Sequence, residues 1–194
     1  DASVAALENG GVVVVWESVG QDGSGEGIYG QRFNAGGIRM GSEFLVNQST
    51  SENQSDPSVT ALNGGKFVVG WLSQTQSGRN SSGAPNLRNN VMGRLYDVNG
   101  AAVGNEYRLN DGDVVAADPK LATRPDGGFL LTWVQNDETN TRNSTDVYIK
   151  TFDNSGLPAA EAARHNTYLT GRQSTPEVAM VGSDALVTWA TAGQ

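Results

Sequence analysis

Apolar residues recur along this chain as a short run that closes on tryptophan. It reads Gly-Gly-Val-Val-Val-Val-Trp at 10–16, Gly-Gly-Lys-Phe-Val-Val-Gly-Trp at 64–71 and Gly-Gly-Phe-Leu-Leu-Thr-Trp at 127–133. A more worn copy, Ser-Asp-Ala-Leu-Val-Thr-Trp, stands at 183–189. All four tryptophans close these runs, 55, 62 and 56 residues apart. A period of that size marks a repeat architecture. Within each run both alternating rows are apolar: Val12, Val14 and Trp16 on one face, Val13 and Val15 on the other. A strand apolar on both faces is covered on both sides.

The rest of each repeat reads as three further strands. One precedes the Trp run, at 3–7, 58–62, 120–124 and 177–181, with Val4, Val59, Leu121 and Val178 opening its inward face. Pro57, Pro119 and Pro176 stand just before it, where a strand's first residue needs no donor. Asn9-Gly10, Asn63-Gly64 and Asp126-Gly127 supply the hairpin turns into the Trp run. The third strand ends on an aromatic (28–33, 91–96, 147–152). The fourth ends on asparagine (43–47, 106–110, 162–166). Asn47, Asn110 and Asn166 suit an Asx turn into the next connector. Connectors between Trp and the third strand vary in length and define a variable rim, the longest at 72–90 with Arg79 and Arg88.

The pattern predicts an all-β fold, a β-propeller-like stack of four-stranded antiparallel blades with about three and a half repeats. These are 1–56, 57–118, 119–175, and the first hairpin of an incomplete fourth at 176–194. Separate β-sandwich modules are the alternative. The worn third copy of the fourth strand predicts a weak edge there. The half repeat predicts an open edge at 186–189 that neighbouring repeats or other copies of the chain would pair.

Composition narrows the function classes. A net charge of −8 disfavours nucleic acid and anionic membrane surfaces. Cysteine is absent, which excludes disulfides, thiolate metal sites and a thiol nucleophile. No apolar run reaches membrane-spanning length.

The Gly-Gly-Val-Val-Val-Val-Trp-Glu-Ser series (10–18), Gln-Asp-Gly-Ser-Gly-Glu-Gly-Ile-Tyr-Gly-Gln-Arg-Phe (21–33) and Gly-Ser-Glu-Phe-Leu-Val-Asn (41–47) together resemble a tandem repeat of large secreted bacterial proteins. These are the RTX-type or haemolysin-type calcium-binding proteins and adhesins. The resemblance spans nearly the whole chain and is closest in the first repeat. It implies an extracellular or cell-surface repeat module, with calcium as the candidate ion. The Gly-Gly-x-Gly-x-Asp nonapeptide of RTX proteins is absent.

Candidate chemistry is sparse. Asp22, Ser24 and Glu26 alternate along a glycine-rich turn, as oxygen ligands of calcium do. The same residues also make an ordinary solvated turn. Asp111, Asp113 and Asp118 form a second acidic patch. His165, the single histidine, occupies the strand position of Val46 and Leu109 and reads as a worn core or edge residue. No catalytic constellation is evident. The expectation is therefore a non-catalytic structural or adhesive module, not an enzyme. The alternative is a carbohydrate-binding, lectin-like propeller that uses its rim loops.

Overall fold

The computed structural model describes residues 1–136 and 144–192. The connector between Trp133 and the third strand of its repeat lies partly outside them. The described residues are all-β. No helix among them is long and apolar enough to cross a membrane.

Three antiparallel sheets of four strands and one hairpin follow one another along the chain. The first holds β1 (Ala2–Ala6), β2 (Val12–Val19), β3 (Glu26–Phe33) and β4 (Arg39–Leu45), in that order. The second holds β5 (Gln54–Ala61), β6 (Phe67–Arg79), β7 (Pro85–Tyr96) and β8 (Ala102–Arg108). The third holds β9 (Ala116–Thr123), β10 (Phe129–Asn136), β11 (Thr145–Phe152) and β12 (Ala163–Arg164). The hairpin is β13 (Gln173–Val181) with β14 (Asp184–Thr191). The first strands lie side by side: β1 touches β5, β5 touches β9, and β9 touches β13. The sheets therefore stack outward from a common inner row, and among the described residues they form no closed ring.

Each interface sets a Trp row against a row of smaller residues on the preceding sheet. Val13 and Val15 cluster with Phe67, Val69, Trp71 and Tyr96. Val68, Leu72 and Val91 cluster with Phe129, Leu131, Trp133 and Phe152. Aromatic pairs cross between neighbouring strands, Phe67 on Tyr96 at 4.8 Å and Phe129 on Phe152 at 4.6 Å. Trp71 and Trp133 are fully buried. Trp16 and Trp189, in the two end sheets, are only half-buried. Nothing stands in front of the first sheet, so Val4, on the same face as Trp16, is 63% exposed.

The inner strands differ from the sequence expectation. They begin earlier, at Gln54, Ala116 and Gln173, and the prolines lie inside them. The ladder slips between Ser55 and Ser58 and between Ser174 and Glu177, and on β10 between Thr132 and Val134, facing Lys120 and Ala117. Asp56-Pro57, Asp118-Pro119 and Thr175-Pro176 are thus β-bulges, each opposite a tryptophan. A bulge is the other place where a strand accepts proline. Asp56, Asp118 and Thr175 have φ of 51°, 52° and 48°. That left-handed conformation suits Asp better than the β-branched Thr.

The long 72–90 connector is no irregular loop. β6 and β7 extend through it as a paired ribbon from Ser73–Asn90 out to Arg79–Pro85. The asparagines also do more than cap a turn. Oδ1 of Asn47, Asn110 and Asn166 accepts the N–H of Ile28, Val91 and Val147 at 2.7, 2.7 and 2.8 Å. Their Nδ2 groups donate to carbonyls just downstream, including Ser49 O and Tyr168 O at 2.8 Å. Each asparagine clasps the end of the outer strand to the head of the third. The third outer strand shrinks to two residues. Ile149 stands where Gly30 and Gly93 leave room for Phe44 and Leu109, and Ala163 lies opposite it.

Two measurements of urea unfolding follow. Trp71→Ala should cost about 3–5 kcal/mol, and Trp16→Ala clearly less, because only Trp71 is enclosed by two sheets. Asn110→Ala should cost about 1–3 kcal/mol by leaving the buried Val91 N–H without an acceptor.

Candidate functional site at the head of the inner strands

The bulges aim side chains at the inner row of strands. Asp1, Ala2, Asp56, Pro57, Asp118 and Lys120 line a cleft of about 220 Å³ there. Asp56 and Asp118 enter it from two successive sheets by the same bulge. Glu17, on β2 one residue beyond Trp16, stands beside Asp56. Carboxylate oxygens of Asp1, Glu17 and Asp56 lie within 4.8 Å of one another.

Hydrogen bonds tie these groups across sheets. Glu17 accepts the N–H of Asp56 at 2.5 Å through Oε1, and the Asp1 amino group at 2.7 Å through Oε2. Asp118 Oδ2 accepts the N–H of Thr175 at 3.1 Å. A carboxylate from one sheet therefore holds the bulge of the next at two of the three junctions. Lys120 reaches Glu177 at 3.7 Å. Burial, then the charges of Glu17 and Asp118, push the Asp56 carboxyl above its ordinary 3.8 against the pull of Lys120. A carboxyl raised in this way retains a proton more readily than it would in free solution.

The ribbon stands at the same end of the molecule. Gln54, two residues before the Asp56 bulge, pairs with Ser73 at the ribbon's base. Asn89 of the ribbon forms a parallel bridge with Val115, just ahead of β9.

The residues singled out from sequence are placed as follows. Asp22 Oδ1 accepts the N–H of Ser24 at 3.3 Å, and Asp22 Oδ2 accepts from Asn47 Nδ2 at 3.5 Å. The Glu26 N–H, at the head of β3, donates to Asn53 Oδ1 at 3.2 Å. Among the described acidic groups, the set close enough to share one cation is Asp1, Glu17 and Asp56. The acidic patch divides. Asp111 bonds Lys150 and accepts the N–H of Ala162 at 3.0 Å. Burial acts to raise its pKa, but those hydrogen bonds and the Lys150 charge outweigh it and hold the carboxyl below its usual range. Asp113 accepts from Asn90 Nδ2 at 2.9 Å. Only Asp118 reaches the cleft. His165 is exposed at the sheet edge, with its ring edge-on to Trp189 at 6.0 Å.

Glu17 and Asp56 are not visible as a site in the sequence. The signal for Asp56 and Asp118 was the repeated Asp-Pro pair, which a strand start explains equally well until the pair is seen opposite tryptophan.

No protein-family model and no curated protein sequence matches the chain. Solved structures do. A protein of unknown function from Dyadobacter fermentans matches over 99% of this chain and 62% of its own, with TM-score 0.69 and 12% identity. An α-L-arabinofuranosidase from Lactobacillus brevis matches over 98% of this chain and 62% of its own, with TM-score 0.60 and 12% identity. The chain spans about three fifths of the length of both. At these identities the likeness shows the fold. It also corrects the expectation that the chain is not an enzyme. The fold read as that of a non-catalytic module is one on which an enzyme is built, and the lack of a catalytic constellation legible in the sequence is no argument against a reaction.

Asp56→Asn tests the electrostatics of the cleft. The raised pKa means that ionised Asp56 opposes folding as pH rises above 3.8. Below that value the carboxyl is protonated in both states and has no such effect. The amide variant, whose side chain tolerates positive φ, should therefore unfold at higher urea than the parent at neutral pH. The difference should vanish below pH 3.8.

Proposed function

We propose that the stacked sheets are blades of a β-propeller and that the cleft at the head of their inner strands binds carbohydrate. One observation carries the reading. Asp56 and Asp118 come from different sheets, yet both line one cleft beside Lys120, and Glu17 of a third sheet has a carboxylate oxygen within 4.8 Å of that of Asp56. Sugar hydroxyls are donors, and a set of fixed carboxylates at a concave site matches them. The fold shared with an α-L-arabinofuranosidase supports the same ligand class. The ribbon, whose base pairs with Gln54, and the turn at 20–25, which lies against Glu52 and Asn53, are the loops nearest the Asp56 bulge and would contact the rest of a glycan.

A second reading, cleavage of a glycosidic bond at the same place, is favoured by the raised pKa of Asp56 beside two other carboxylates. One protonated and one ionised carboxyl are what such hydrolysis requires.

The experiment is a glycan array followed by calorimetry, with arabinofuranoside and other chromogenic glycosides assayed alongside. The expected result is binding of a defined glycan that Asp56→Asn and Asp118→Asn each weaken by about tenfold or more, the loss of one charge-assisted hydrogen bond. Turnover lost in Asp56→Asn while binding persists would select the second reading. A folded protein that binds and cleaves no glycan, or whose binding survives both substitutions together, contradicts the proposal.

A further inference from the structure

The first sheet presents an open face built like two faces that are closed elsewhere in the molecule. Val14, Trp16, Gln31, Phe33, Arg39 and Glu43 line a shallow hollow of about 260 Å³ on it. In the second sheet the corresponding row is Val69, Trp71, Arg94 and Tyr96, and in the third Leu131, Trp133, Lys150 and Phe152. Both rows are packed against the sheet before them.

The polar contacts of those closed faces show what the open one lacks. Arg94 donates to Val46 O of the preceding sheet at 2.9 Å. Lys150 pairs with Asp111 of its own preceding sheet. Glu106 accepts the N–H groups of Gln48 and Ser49, the two residues after Asn47, at 2.6 and 3.2 Å. In return its own N–H donates to Gln48 Oε1 at 2.7 Å. Gln31 occupies the place of Arg94, and Glu43 that of Glu106. Gln31 turns back on its own sheet instead, donating to Arg32 O at 2.9 Å. Glu43 is exposed and takes a local bond from Gln21 at 2.5 Å.

We infer that the Trp16 face is a docking surface for a further complete four-stranded blade of this same repeat. That blade would lay a row of small or β-branched residues on Trp16 and Phe33. It would also offer Glu43 the two N–H groups that follow its outer-strand asparagine. The interface continues one that the chain already forms twice. A second copy of the chain fits poorly. Its uncovered apolar end is β14, where Leu186 is 57% exposed, and that hairpin has no outer strand and no connector to give Glu43. The connector after Asn166 cannot serve either, because the hairpin already packs against β9, β10 and β11 beside it.

The test places a copy of residues 57–117 ahead of Asp1, so that Asp1 takes the position Asp118 holds in the repeat. With Trp189 and the added blade's own tryptophan replaced by phenylalanine, Trp16 is the one indole not fully buried among those described. Acrylamide quenching of that indole should fall several-fold relative to the unextended W189F chain. Glu43→Ala in the extended chain should restore part of it. Unchanged quenching in an extended chain that still unfolds cooperatively overturns the inference. The unextended chain gives an independent outcome. Sedimentation should show it staying monomeric with Trp16 accessible. Self-association that shields Trp16 as concentration rises would assign the face to a second copy and overturn the inference.

Discussion

The structure depends on an indole pressed between sheets. A four-stranded sheet with apolar rows on both sides is unstable alone, and stacking covers both rows at once. Trp71 and Trp133 show the covered state, Trp16 shows a face with no sheet before it, and Trp189 shows a hairpin with no third or fourth strand to flank the ring. The small row opposite is as important as the large one. Val13, Val15 and Val68 let the next sheet come close enough to enclose the ring.

The same packing positions the chemistry. Opposite Trp71, Trp133 and Trp189 the inner strand carries an extra residue before proline, and the resulting bulge turns that residue toward the row of inner strands. In two repeats it is aspartate, and the stacking of sheets brings those aspartates to one cleft. Glu17 is held beside Asp56 because it follows Trp16 on the same strand. The carboxylates are thus a consequence of the blade repeat rather than an ornament on it. Bonds from Glu17 to the Asp56 N–H and from Asp118 to the Thr175 N–H also tie the sheets together. Site and scaffold share their polar links.

Much of the fold was legible in the chain. The repeat, the all-β class and the buried Trp rows followed from periodicity, because a Trp run apolar on both faces has few ways to be covered. The weak third outer strand followed from the loss of large residues at 162–166. What was missed depends on register. Pro57 and Pro119 at a strand start and in a bulge look alike in sequence, so the inner strands appeared four residues too short. The 72–90 segment has no alternation, so its pairing as a ribbon was invisible. Asn47 and its counterparts looked like turn residues because their partner N–H lies 19 residues back along the chain. The site was the least legible part. Asp22, Ser24 and Glu26 are close in sequence and attracted attention for that reason, whereas Glu17, Asp56 and Asp118 are brought together only by stacking.

Native-state hydrogen exchange tests the dependence of the fold on the enclosed indoles most directly. The amides of Val68, Val69 and Trp71 on β6, and of Leu130, Leu131 and Trp133 on β10, should exchange only through global unfolding and with one shared free energy. The amides of β2, whose Trp16 face has no sheet before it, and of β14, whose hairpin has no third strand beside it, should open at lower cost. Equal protection of all four Trp strands, or the strongest protection in β2 or β14, would contradict the account.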